Sequence, residues 1–249
     1  MFKLSILLFL SIAWAADALI RKTAEDGAYP YQASLQRITA PAFYFCSGTI
    51  ISTEWILTAA FCFDSSRSSS KEIAVGVGSI NLSRATLYPV EKIIIHENFN
   101  ETSLDNNIAL VKLASELILN SNVAPIDLAS MDTPPGTNCT LTGWGSYSSN
   151  PRNRDDLQVA YLDTISLDQC RKEKGGYTYF SITERQLCGE RNEQRGVCQV
   201  EAGGPLAAND EVVGIISCAL LDRFRGNIHP YIFTNVYAYL DWISDNMKN

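Results

Sequence analysis

Few side chains of this sequence have the chemistry to move protons or attack a carbonyl carbon. The chain contains two histidines, His96 and His229, and neither has a matched nucleophile in a recognisable pattern. No cluster of His, Cys, Asp or Glu has the spacing of metal ligands. We therefore expect both histidines to be structural, with His96 on the surface and Asp105 a solvated loop charge. No metal or cofactor is expected.

The strongest functional indication comes from three short segments, which read Leu-Thr-Ala-Ala-Phe-Cys at 57–62, Asn-Asn-Ile-Ala-Leu at 106–110 and Val-Glu-Ala-Gly-Gly-Pro-Leu at 200–206. These segments resemble the parts of trypsin-like serine proteases that hold the catalytic histidine, aspartate and serine. Phe61, Asn107 and Ala202 stand where the resemblance places those three residues.

A serine protease triad works because a histidine accepts the serine proton while a buried carboxylate orients the imidazole. Phe61 has no side-chain proton to exchange, Asn107 has no charge, and Ala202 has no oxygen. The sequence therefore predicts a catalytically inactive homologue that acts by binding proteins, in a regulatory, decoy or effector role. Two alternatives stay open: a residual or rearranged serine-type endopeptidase, and a secreted protein without a specific partner.

The resemblance implies further changes around the same site. Val200 replaces an oxyanion-hole glycine, and its β-branched side chain restricts the backbone there. Gly196 stands at the pocket base where trypsins have aspartate, and Tyr231 stands where a wall glycine is usual. Glu201 replaces the aspartate that pairs with the freed amino terminus. It is either solvated or locally paired, or it is reached by the amine of Leu19.

The resemblance covers nearly the whole mature chain and implies an all-β fold of two six-stranded antiparallel β-barrels, with the active-site cleft between them. Short β-prone runs separated by turn residues agree with barrels. We expect barrel halves at roughly 33–130 and 136–235 and a C-terminal helix over 236–247. A short helix is also predicted over 166–174.

The amino terminus predicts secretion. Residues 1–18 fit a signal peptide with cleavage after Ala15 or Ala18, which leaves a single protease-like domain over 19–249. The formal net charge of −7 argues against nonspecific binding to nucleic acid or anionic membranes. The expected partners are therefore proteins, such as active proteases, protease inhibitors or defence proteins.

Seven cysteines in a secretory context suggest disulfides and one odd thiol. The family resemblance implies three disulfides, which are Cys46–Cys62, Cys170–Cys188 and Cys198–Cys218. Cys139 is left unpaired, because its usual family partner would lie near Ala207 or Ala208. Two fates stay open for this thiol, an inert buried side chain and an intermolecular bridge.

Three sequons are candidates for N-glycosylation, at Asn81, Asn100 and Asn138. The third has Cys139 in its middle position, which makes it the weakest of the three.

Overall fold

The computed structural model describes residues 22–39, 43–63, 69–144, 156–173, 182–190, 202–217 and 230–248. Several residues named above lie outside this part of the chain, namely the signal peptide, Leu19, Gly196, Cys198, Val200, Glu201, Cys218 and His229.

Six antiparallel strands close the first barrel, in the spatial order β2-β3-β4-β7-β6-β5. They are β2 (Gln32–Arg37), β3 (Phe43–Ile50), β4 (Trp55–Thr58), β5 (Ile73–Val77), β6 (Thr86–Ile95) and β7 (Ala109–Leu113). Aliphatic residues fill the barrel interior, and Ile56, Val75 and Leu110 have no exposed surface. Closure pairs every strand on both sides, so no long unpaired edge remains.

The second barrel is closed by β9-β10-β11-β14-β13-β12, since β9 pairs with both β10 and β12. Its strands are β9 (Asn138–Gly143), β10 (Gln158–Ile165), β11 (Gln186–Glu190), β12 (Pro205–Ala208), β13 (Glu211–Ile216) and β14 (Tyr231–Asn235). Two short strands attach outside this barrel: β1 (Lys22–Thr23) pairs with β10, and β8 (Asp127–Leu128) runs parallel to β13. The two closed barrels confirm the predicted fold class.

The C-terminal segment is shorter as an α-helix than the sequence predicts. A 3-10 turn occupies Val236–Tyr239, and helix α2 begins only at Leu240 and ends at Met247. The Asn235 side chain accepts the backbone N–H of Tyr237, which starts the tight turn. Val236 and Ile243 are fully buried, so one side of this segment packs against the core.

The other helix, α1, spans Leu167–Glu173, within the predicted range. The Ser166 hydroxyl accepts the backbone N–H of Gln169 and so caps its first turn. Neither α-helix in the described part of the chain has the length and apolar character needed to cross a bilayer.

Two disulfides are present among the described residues, Cys46–Cys62 and Cys170–Cys188, as the family resemblance implied. Cys139 is free and buried in β9. Burial, reinforced by the nearby Asp163 carboxylate, raises the pKa of its thiol to about 11. Because the thiolate is the reactive form, the Cys139 side chain is held in its inert state near neutral pH.

The register of β9 and β12 predicts that Ala208→Cys forms a disulfide with Cys139. Leu206 lies opposite Leu141 and Ala207 opposite Thr140, so the next position, Ala208, continues the pairing toward Cys139. We expect a thiol titration of the denatured, unreduced variant to show that the free Cys139 thiol is lost. Without the new disulfide, the variant would instead have a second free thiol. The new covalent loop should stabilise the fold by about 2–4 kcal/mol in urea unfolding.

The matched control is Ala207→Cys, whose side chain points to the opposite face of β12 because successive strand residues alternate. This variant should show two reactive thiols and no gain in stability. Equal behaviour of the two variants would contradict the register.

Candidate functional site

Phe61 lies in the 3-10 turn Ala60–Cys62, which follows β4. The disulfide Cys46–Cys62 ties this turn to β3. The backbone N–H of Phe61 donates a hydrogen bond to Oδ1 of Asn107 over 2.8 Å. A disulfide and a hydrogen bond therefore both hold this turn in place. Phe61 itself remains 47% exposed.

Asn107 precedes β7 and is completely buried. Its Nδ2 donates to Oγ of Ser217 over 2.7 Å, and its backbone carbonyl accepts the Thr234 hydroxyl at 2.8 Å. Phe61 belongs to the first barrel, whereas Ser217 and Thr234 follow or lie in strands of the second barrel. The Asn107 amide thus joins the two barrels and satisfies both of its polar ends without a charge.

The loop before β7 holds Asn107 in place through its two preceding residues. Asn106 adopts a left-handed φ of 53°, accepts the Tyr239 hydroxyl at 3.0 Å and donates to the Asn98 carbonyl at 2.9 Å. Asp105 receives two bonds from Arg185, at 2.9 and 2.6 Å. The Arg185 guanidinium lowers the pKa of the Asp105 carboxyl. The expectation that Asp105 is a solvated loop charge is therefore wrong.

Ala202 enters from the second barrel and is buried. Its carbonyl accepts the backbone N–H of Ser47 over 2.9 Å. The next residue, Gly203, has φ +83° and donates its N–H to the Ile216 carbonyl at 2.9 Å. A Cβ on Gly203 would sit 2.5 Å from the Ser47 carbonyl oxygen and also overlap the Thr58 hydroxyl. Only glycine lets the two barrels approach this closely.

The structure brings the three predicted positions to one interface between the barrels. Phe61 and Asn107 are directly hydrogen-bonded. The Ala202 carbonyl accepts a hydrogen bond from the backbone N–H of Ser47. Ser47 follows Cys46, which forms a disulfide with Cys62 in the Phe61 turn. The three positions are thus linked through hydrogen bonds and a disulfide at the contact between the barrels.

A buried polar network next to this site was not predicted. Gln32 in β2 accepts the Thr142 hydroxyl at 2.6 Å and donates to Oγ of Ser47 at 3.2 Å, while the Tyr44 hydroxyl lies 2.7 Å from the same Oγ. The network is a second set of bonds between the barrels. Gln32 and Thr142 are 110 residues apart, so no local pattern marks them as partners.

Tyr231 begins β14, where it lies opposite Gly189 of β11 and packs, half-buried, against the core. The remaining positions implied for the oxyanion hole and pocket, Val200, Glu201 and Gly196, belong to the part of the chain outside the described residues.

The described residues that contact Asn107 do so through hydrogen bonds with backbone and hydroxyl groups. The hydroxyl that accepts the side-chain amide of Asn107 is that of Ser217, which is buried. The Phe61 side chain is hydrocarbon and half-exposed. Within the described ranges, no three His, Cys, Asp or Glu side chains are grouped so as to hold a metal ion.

Comparison with known proteins identifies the class of this fold. The trypsin family model matches residues 20–243. The chain is 33% identical to anionic trypsin of Canis lupus familiaris over 235 residues, which covers 90% of this chain and 87% of that protein. It is also 33% identical to chymotrypsin-2 of Vespa crabro over 229 residues, covering 90% of this chain and 96% of the relative.

A trypsin of Phaedon cochleariae is similar to the same degree, with 33% identity over 225 residues that cover 88% of this chain and 84% of the relative. The chain belongs to the trypsin family of serine proteases and their homologues.

The close approach at Gly203 predicts that Gly203→Ala abolishes folding or costs more than about 4 kcal/mol in urea unfolding. The reason is the overlap of the new methyl group with Thr58 and Ser47. The matched control is Gly136→Ala. Gly136 has the same φ of +83° but no atom within 4 Å of an added Cβ.

Gly136→Ala should therefore cost only the left-handed backbone strain, about 1–2 kcal/mol. Equal losses in the two variants would show that backbone conformation, and not the contact between the barrels, fixes the glycine at 203.

Proposed function

We propose that this protein is a secreted trypsin-family member without peptidase activity, which acts by binding other proteins. The observation that carries the proposal is the set of side chains at the convergence of the two barrels. Phe61, Asn107 and Ala202 together provide no nucleophile, no base and no carboxylate. Losing any single triad member costs several orders of magnitude in rate, and here all three are replaced.

The hydrogen bonds at Asn107 support this proposal. An aspartate at this position would need an imidazole whose charge it balances. The neutral amide instead accepts the Phe61 N–H and donates to Ser217, so the buried group is satisfied by these two bonds. The uncharged Asn107 side chain therefore connects the two barrels with its polar groups hydrogen-bonded.

Secretion is supported by two described disulfides, a type of bond that persists in oxidising compartments. The signal-peptide pattern at residues 1–18 points the same way.

The binding role follows from a rigid scaffold that presents loops. Disulfides and the bonds between the barrels fix the turn that exposes Phe61, and a fixed, half-exposed aromatic side chain is the type of residue that anchors protein interfaces. Candidate partners are active proteases, protease inhibitors and defence proteins. Binding to an active protease would indicate a regulatory role, and binding to a protease inhibitor would indicate a decoy role.

The peptidase question is settled by incubating purified protein with a fluorophosphonate probe, casein and chromogenic peptides, beside an active trypsin. We expect no adduct and no turnover above a mock purification, because Ala202 supplies no nucleophile and Phe61 supplies no base. Intact-protein mass spectrometry excludes contaminating proteases as the source of any signal. A stoichiometric adduct mapped to this chain would overturn the proposal.

If the protein is secreted as proposed, its three sequons should differ in glycan occupancy. A glycan attaches to Nδ2, and in Asn81 and Asn138 this atom donates to Asp156 and Asp163 at 2.9 Å. Asn100 lies on an exposed loop, where its side chain is held through Oδ1, which accepts the Thr102 and Ser103 amides.

We therefore expect Asn100→Gln to remove most of the mass shift produced by peptide-N-glycosidase on protein secreted from eukaryotic cells. Asn81→Gln and Asn138→Gln serve as the controls and should remove little of it. A full shift retained by Asn100→Gln would contradict this assignment.

A further inference from the structure

His96 is not the surface histidine that the sequence predicts, because it is 9% exposed and enclosed by the C-terminal segment. Its ring stacks on Trp242, with centroids 5.1 Å apart and planes 25° from parallel. Tyr239 meets the same ring edge-on at 5.5 Å. The imidazole therefore forms part of the contact between β6 and helix α2.

The hydrogen bonds of His96 require a neutral ring. The backbone N–H of Asn98 donates to Nδ1 over 3.1 Å. A backbone amide can only donate, so Nδ1 must hold a lone pair and the single ring proton must reside on Nε2. A second proton, on Nδ1, would face the Asn98 donor and abolish that bond.

His96 also holds both ends of the loop that leads to Asn107. Its backbone N–H donates to the Ile108 carbonyl at 3.1 Å, and its carbonyl accepts the Phe99 N–H at 2.9 Å. Together with the Nδ1 bond to Asn98, these contacts close the segment between β6 and β7. A change in the protonation of the imidazole consequently acts on the loop that leads to Asn107, whose side chain connects the two barrels.

Four ionisable groups face the ring. Glu97 lies beside it, with Oε2 3.8 Å from Nδ1, and the same oxygen accepts Trp242 Nε1–H at 3.1 Å. The charges of Asp105 and its ion-pair partner Arg185 act electrostatically on the imidazole. Tyr239 packs against the same ring from the C-terminal segment. Burial lowers the pKa of His96; Glu97 and Asp105 oppose this shift, and Arg185 reinforces it.

The pKa of Glu97 is lowered, first by a hydrogen bond from its own backbone N–H and then by Trp242. Its carboxylate is therefore ionised across the range in which a histidine titrates. It is the one acceptor placed next to Nδ1 that would gain from a new N–H donor.

We propose that His96 is a pH-sensitive latch on the loop between β6 and β7. On acidification Nδ1 takes a proton from solvent, the Asn98 N–H loses its acceptor, and the new Nδ1–H turns to Glu97. Glu97 then releases Trp242, and both the loop and helix α2 loosen while the barrels stay closed. This inference stands independently of the proposed function.

The direction of the pH effect follows from the lowered pKa. The folded state favours the neutral ring. The contribution of His96 to the free energy of unfolding is therefore fully present above the unfolded pKa of about 6.5. The contribution falls as the pH decreases from that value toward the folded pKa.

The test uses the full mature protein with His229→Gln and no histidine tag, because the chain has only two histidines and every imidazole signal then belongs to His96. Nuclear magnetic resonance should show the Nε2–H tautomer at high pH and a titration midpoint below about 6.5. Hydrogen-exchange protection of the Asn98 amide should fall at least about tenfold between about pH 7.5 and about pH 5.

Two variants make the test specific. His96→Phe keeps the ring stack but has no Nδ1, so we expect the Asn98 amide to be unprotected at every pH. Glu97→Gln keeps the imidazole, and losing the adjacent negative charge should move the His96 midpoint to lower pH. The second variant decides the matter if the first does not fold.

Three results would overturn the latch: Asn98 protection that is unchanged while His96 titrates, a His96 midpoint at or above about 6.5, or a midpoint unaffected by Glu97→Gln.

Discussion

One buried amide holds the central interface of this molecule together. Asn107 accepts the Phe61 N–H from the first barrel and donates to the Ser217 hydroxyl from the second, and it has no access to water. Burying a polar group is costly unless it is fully hydrogen-bonded, so these two bonds have to form together. The position of the Phe61 turn and the end of the loop between β6 and β7 both depend on this arrangement.

The close approach of the two barrels does not rest on Asn107 alone. The approach of the barrels is fixed by backbone features, namely the glycine at 203, the Ser47 bond to the Ala202 carbonyl and the Cys46–Cys62 disulfide. None of these needs a catalytic side chain. A fold can therefore be kept while the chemistry of its site changes, since fold and function are specified by different residues.

Sequence patterns located the strands well where a run of buried aliphatic residues is flanked by turns. Ile73–Val77 and Ala109–Leu113 are two strands of this kind. The C-terminal helix was predicted too long because the Asn235 cap sets up a 3-10 turn, which residue periodicity does not reveal.

Motif resemblance located Phe61, Asn107 and Ala202, whereas the partners of the site were missed. Ser217 is 110 residues from Asn107, and Arg185 is 80 residues from Asp105. Such pairs are created by barrel closure and leave no local signal. The burial of His96 was missed for the same reason, since Trp242 reaches it from the far end of the chain.

The most direct test of the central claim is a double-mutant cycle in urea unfolding with Asn107→Ala, Ser217→Ala and the combined variant. If the Asn107 amide joins the barrels through Ser217, the two substitutions should be coupled by about 0.5–1.5 kcal/mol. Strictly additive losses would contradict the account, because they would show that the two side chains stabilise the fold separately.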